Sequence, residues 1–286
     1  ELNDPLLRSM LWTSLLADED VSLPKVIEAL GSETNDRIIN QVQTSLVNQF
    51  NQLGRQGDQL LDQVGPLFED LLWGQLVAED TIDSIRTVKL DSYILAVGSA
   101  QVVENLMGLL AGTIELPALI ISQEFRWKIL HRLAVLNHSN ILSLLSKEKQ
   151  KDPSDAGVLS AIVVDSALPD LSTKQKWMAH FMENEDPLPL SHQRKAMEAM
   201  FPSNQVALQE QMLPEILAAL PMMNQTRDNY YKRSYARDLL AGVCTEAGLQ
   251  QIKAALDKDK IGTTLYRFLS ENVQKAEECV AGLTAK

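Results

Sequence analysis

The residues with which this chain could do chemistry are its four histidines, its two cysteines, and a run of tyrosines set among arginines. A zinc peptidase site would show His-Glu-x-x-His on one helix, because residues four apart bring both imidazoles to one metal and hold the glutamate beside its water. None of His131, His138, His180 or His192 begins that pattern. His131 and His138 lie in FRWKILHRLAVLNHSN, residues 125 to 140. On a continuous helix their spacing puts them on one face but about 10 Å apart along the axis. A single zinc ion, with bonds of about 2 Å, does not reach both. His180 and Glu183 are three apart on a helical pattern and read as a surface pair.

Other catalytic signatures are missing. No GxGxxG or GxxxxGK[ST] loop is present to cradle phosphates, and no GxSxG nucleophile elbow. The glycines sit mainly at helix ends, including the GxxxG spacing of Gly108 and Gly112, which reads as close packing or a helix end. Cys244 and Cys279 are far apart and in no CxxC. They fit a reducing compartment or two buried thiols better than a disulfide framework, although one bond between them stays open.

The densest polar-aromatic stretch is RDNYYKRSYARD, residues 227 to 238. It supports two readings. Arg227, Tyr230, Lys232, Arg233 and Arg237 could contact a substrate or partner, holding the carboxylate or acidic end of a peptide through arginine forks and aromatic stacking. Alternatively, Tyr231, Tyr235 and Leu239 form a core stripe while the cations are solvated or paired with Asp228 and Asp238.

The elements that must position these residues are helical. Nearly every segment carries a helical period, and no alternating β-branched run lies between turn signals. Asp4-Pro5 opens a first helix as N-cap and first helical residue, and SLPKVIEALG gives a second. Helices are expected at about 35–53, 58–78, 81–97 and 99–111, closed near Gly54, Asp80, Gly98 and Gly112. Residues 125 to 140 read as a buried helix with Lys128, His131 and Arg132 on its wet edge, then a turn with Ser139 as N-cap of the next helix. Asp152-Pro153 starts a helix, Pro169-Asp170 stops it, and further helices are expected at about 190–200, 204–220, 226–243, 245–257 and 260–282.

Some fourteen or fifteen helices joined by short turns imply an all-α chain whose helix pairs bury their faces on one another, an irregular HEAT/armadillo-like α-solenoid. There is no strict repeat and no Pro/Gly/Ser linker, which favours one continuous domain over residues 1–286. Trp12, Trp73, Trp127 and Trp177 each sit in an apolar helical pattern and are expected as core anchors.

A net charge of −12 and a pI near 4.8 argue against binding nucleic-acid phosphates. The most apolar run, 106–121, is interrupted by Glu115 and Pro117 and is too short to span a bilayer. With Glu at position 1 and no apolar signal core after it, the chain looks like part of something longer.

Several segments in order resemble a known family: LNDPLLRSMLWTSLLADE, FRWKILHRLAVLN, KDPSDAGVLSAIVVDSALPDLSTKQKWM and FLSENVQKAEECV. Together they are similar to the C-terminal helical domain of the aminopeptidase N family of zinc metallopeptidases, the type shared with endoplasmic-reticulum and puromycin-sensitive aminopeptidases. The resemblance implies a bowl of helix pairs that packs against the catalytic domain of the same polypeptide, closes its chamber and contacts the distal part of peptide substrates. It also implies that the zinc, its ligands and the general base lie upstream, so that no catalytic or metal-binding residue falls on this chain and the chain alone does not hydrolyse peptides. The rival reading is a free-standing helical-repeat adaptor for a protein or peptide. A domain that belongs against an enzyme should carry an apolar patch near one end, whereas an adaptor should be capped by polar helices. The few cysteines and the lack of an export signal favour the cytoplasm, with the periplasm left open.

Overall fold

A computed structural model describes residues 4–17, 21–56, 59–79, 81, 83–96, 98–183 and 188–284. Residues 2–3 and 18–19 of the first family-like segment lie outside the described residues, as does Asp80. The described residues form sixteen α-helices and one 3-10 turn, with no strand among them. A single isolated bridge joins Leu116 to Leu119. The fold is all-α, and the helices pack as two compact units, Glu1–Arg132 and Leu133–Lys286.

The first unit holds α1 (Pro5–Ala17), α2 (Leu23–Leu30), α3 (Asp36–Gln56), α4 (Leu60–Val77), α5 (Asp83–Leu95), α6 (Ala100–Ala111) and most of α7 (Gln123–Val135). Alternate helices lie side by side, α1 on α3, α3 on α5, and α2 on α4, while α3 and α4 also pair. The sequence dictates this through α3, whose helical period buries Ile38, Ile39, Val42, Leu46, Val47, Phe50 and Leu53. Phe50 meets Phe68 of α4 edge-on at 5.3 Å. Burying each such side chain stabilises the unit by about 1.5–3 kcal/mol.

The second unit holds α8 (Ile141–Lys151), α9 (Asp155–Ser166), α10 (Leu171–Met182), α11 (Leu190–Ala199), the 3-10 turn Ser203–Gln205, α12 (Val206–Ala218), α13 (Leu220–Thr226), α14 (Asn229–Leu239), α15 (Glu246–Ala254) and α16 (Lys258–Thr284). Here α9, α11, α14 and α16 follow one another in one row, and α10, α12 and α15 in a second. That is the layering of stacked helix pairs. Phe181, Met197, Met200, Leu213, Tyr235, Leu265 and Leu269 lie in the core they share.

Several boundaries differ from the sequence reading. The expected 204–220 helix is the 3-10 turn and α12, which ends at Ala218, and the residues that follow form a separate short helix, α13, with Pro221 in its first turn. Arg227 is extended, so α14 starts only after Asp228, not at 226. Ser139 is not the N-cap of α8: Asn140 precedes the helix, without a side-chain capping bond. α16 begins at Lys258 and is broken at Gly262, with φ 73° and ψ 166°.

The cysteines also differ from the expectation of free thiols. Cys244 and Cys279 form a disulfide, with Cα atoms 5.3 Å apart. Sequence distance was a poor guide, because α15 and α16 pack together and bring the turn before α15 to the far end of α16.

Many buried polar side chains close helix C-termini, where the last carbonyls have no helical partner. Arg86 donates to Leu76 O, Ala78 O and Thr81 O at the end of α4. Arg126 donates to Leu110 O at 2.8 Å, and Arg132 to Ala96 O. Lys174, completely buried, donates to Ser166 O at the end of α9 and to Met200 O beyond α11. Burial pushes its ammonium down to about 7, while Asp165 and Asp170 pull the other way. Gln209 spans Leu239 O and Ala241 O, both at 2.8 Å.

The buried helix expected in residues 125 to 140 is α7. Phe125, Trp127, Ile129, Leu130, Leu133 and Ala134 are buried, and α7 stops at Val135 before Asn137 turns left-handed at φ 55°. Lys128 is held between Asp91 at 2.6 Å and Glu124 at 2.8 Å. Trp12, Trp127 and Trp177 are buried, and the half-buried Trp73 lies against Tyr93 at 5.1 Å.

Candidate binding groove between α14 and α16

α14 starts where it does because the Asp228 carboxylate accepts the Tyr231 N–H at 2.8 Å. From that start the helical period sends Tyr231, Tyr235, Ala236 and Leu239 inward. The Tyr231 hydroxyl donates to Phe181 O at 2.8 Å and the Tyr235 hydroxyl to Ile216 O at 3.0 Å. Burial raises both phenols well above the ordinary tyrosine range. These tyrosines tie helices together.

The five candidate contact residues separate into two groups. Arg227 donates to Phe181 O at 3.0 Å and to Glu183 O, with its guanidinium 4.9 Å from the Tyr231 ring, so it closes the end of α10. Arg237 is paired with Asp238 at 2.7 Å, which raises its pKa. Lys232 Nζ stands 3.5 Å from Asn224 Oδ1. Tyr230 and Arg233 instead face outward, Tyr230 at 72% exposure.

Tyr230 and Arg233 line an open groove of about 320 Å³, with Asn229 from α14 and Thr263, Thr264, Arg267 and Phe268 from α16. The α16 half was missed in the sequence, where 260–282 reads as one regular helix. The available signal was Gly262 inside that helix. Gly262 adopts positive φ, and a Cβ there would stand 2.4 Å from Asn224 Oδ1, so the position excludes other residues. The break starts a new helical segment at Thr263, beside the start of α14. Thr264 Oγ1 donates to Asn229 Oδ1 at 3.2 Å and joins the two helix starts.

Phe268 is buried and lies under both cations, with the Arg267 guanidinium 4.6 Å and the Arg233 guanidinium 6.0 Å from its ring centroid. Arg267 Nε also stands 3.5 Å from Glu271 Oε1. Among the described residues, Arg233 has no carboxylate within ion-pair reach. The first turn of the helical segment after Gly262 adds partial positive charge to the same groove, whereas that of α14 is already capped by the Asp228 carboxylate. The arrangement can bind an anion. It holds no nucleophile next to a base.

The histidines form no comparable site. His138 lies beyond the end of α7, so the helical spacing between it and His131 does not apply. His180 Nδ1 is 3.9 Å from Glu183 Oε2 at the surface, and its ring lies 5.4 Å from that of Trp177. Among the described residues no group of three His, Cys, Asp or Glu side chains is placed to hold a metal ion. Nor is any helix among them long and apolar enough to cross a membrane.

No family model and no curated protein matches the chain. Among solved structures, one from work titled "Computational Design of Self-Assembling Cyclic Protein Homooligomers" aligns over 99% of each chain at 12% identity. Its TM-score of 0.19 is too low for it to bear on fold or function.

Proposed function

We propose that this chain is the non-catalytic C-terminal domain of a zinc aminopeptidase of the aminopeptidase N type, closing the chamber of a catalytic domain upstream in the same polypeptide. The family-like segments suggest it. The observation that carries it is the exposed apolar face of α1. Toward the rest of its unit α1 directs polar groups as well as Trp12: Ser9 Oγ donates to Gln41 Oε1 at 3.0 Å, Trp12 Nε1 to Glu33 Oε2 at 3.2 Å, and Arg8 pairs with Glu33 at 3.5 Å. Toward solvent it turns Leu6, Leu7, Met10 and Leu11, with Leu6 68% and Met10 60% exposed. Covering four such side chains would stabilise a contact by on the order of 5 kcal/mol. An end helix of a free-standing repeat protein would be polar there.

Closing a chamber excludes bulk water and strengthens the electrostatic interactions within it, so such a domain supports chemistry performed elsewhere and contacts the distal part of a peptide. In this reading zinc and its ligands belong to the upstream domain. The Cys244–Cys279 bond weighs for an oxidising compartment such as the periplasm over the cytoplasm suggested by composition.

The adaptor reading draws on the other end of the sequence, where α16 exposes Arg267, Glu271, Gln274, Lys275, Glu277 and Glu278, as a capping helix would. Purified alone, the chain should bind no stoichiometric zinc and cleave no aminoacyl arylamide. Zinc-dependent turnover by a homogeneous sample would overturn the proposal.

A further inference from the structure

We propose that the groove between α14 and α16 binds a singly charged carboxylate carried on a flat apolar group. This goes beyond the aminopeptidase reading and does not depend on it. The charge follows from the groove's own balance. Of the lining residues Arg233 and Arg267 carry positive charge, and Glu271, which does not line the groove, stands 3.5 Å from Arg267 and offsets one. One charge is left uncompensated, on Arg233, in a chain whose net charge is −12. A monoanion satisfies it, whereas a phosphate dianion would exceed it and meet the repulsion of the whole molecule.

The shape and the donors fit the same ligand. An arginine fork accepts a carboxylate through two parallel hydrogen bonds. The Thr263 hydroxyl, at the start of a helical segment, stands at the same wall, while that of Thr264 already donates its proton to Asn229. Phe268, beneath the two guanidinium groups, gives a buried apolar floor, and Tyr230 an exposed ring on which a flat group can stack. About 320 Å³ is near the lower limit for small-molecule sites, suited to a ligand with one ring. Such a carboxylate can come from a free aromatic acid or from the end of a chain whose last residue is aromatic.

The test titrates 3-phenylpropionate into the full chain, following backbone amide shifts with isotope labelling. Saturable shifts at Asn229–Arg233 and Thr263–Phe268 are expected, with affinity falling about tenfold or more for Arg233→Gln and for the neutral 3-phenylpropionamide. Arg267→Gln is a second variant on the same readout, and the exposed Lys195→Ala should leave binding unchanged. Stronger binding of a blocked tetrapeptide ending in Phe would assign the groove to chain ends, and stronger binding of the free acid to small acids. Absence of shifts at these residues up to roughly 10 mM, equal binding of the amide, or tighter binding of phenyl phosphate overturns the proposal.

Discussion

The first and last helices of the chain present opposite chemistry to solvent. α16 buries Ile261, Leu265, Phe268, Leu269, Val273 and Ala276 and leaves charged and amide side chains outside, the ordinary arrangement of a surface helix. α1 buries Trp12 but leaves Leu6, Leu7, Met10 and Leu11 outside while several polar side chains bond inward. Both helices have enough apolar residues to be called amphipathic. What differs is whether the apolar stripe has found its partner within the chain, and only α16 has.

Substitutions can break or sharpen that comparison. The largest effect should come from Leu269→Ala in α16, which removes a fully buried side chain and should cost about 2–5 kcal/mol in urea unfolding. The matched Met10→Ala in α1 should change stability by less than about 0.5 kcal/mol. Equal losses would contradict the assignment of α1's outer face to a contact outside the chain. Replacing both Cys244 and Cys279 by Ser should lower unfolding stability by about 2–4 kcal/mol, because the bond closes a segment with a sequence separation of 35. The same loss should follow when a dithiol reduces the unaltered protein.

Gly262→Ala should cost about 1–3 kcal/mol, through positive φ and collision with Asn224, and should also distort the groove. Unchanged stability in that variant would contradict the break in α16. The smallest thermodynamic effect should come from Leu6→Gln with Met10→Gln. That pair should leave the urea midpoint nearly unchanged yet reduce self-association in sedimentation, because it removes exposed apolar area without touching the core. If self-association does not fall, α1's outer face is not a contact surface.

How much could be read from the sequence differs in the same way between regions. The helices of both units follow from periodicity and caps because those signals are local: Ser154 accepts the Gly157 N–H at 3.1 Å and Asp170 the Thr173 N–H at 2.8 Å, close to where Asp152-Pro153 and Pro169-Asp170 mark boundaries. The buried face of α7 was legible for the same reason. The roles of cations were not, because an arginine that closes a distant helix, such as Arg86, Arg126 or Arg227, has the same sequence context as one in solvent. Their partners lie 5 to 46 residues away along the chain, and no helical period encodes that.

The groove was half legible. Tyr230 and Arg233 stood out within a conspicuous cluster, whereas Thr263, Thr264, Arg267 and Phe268 sit in an ordinary helical pattern whose one irregularity is Gly262. The disulfide was open in the sequence because pairing depends on which helices pack, and α15 against α16 is a tertiary fact.

The most direct test of the central claim is the mass of the native polypeptide that carries this sequence, together with its zinc content and the sequence preceding Glu1. The account predicts a much longer polypeptide, with His-Glu-x-x-His upstream of Glu1 and one zinc per chain. A native product of about 31.8 kDa with no bound zinc would contradict it and leave a free-standing helical binding protein.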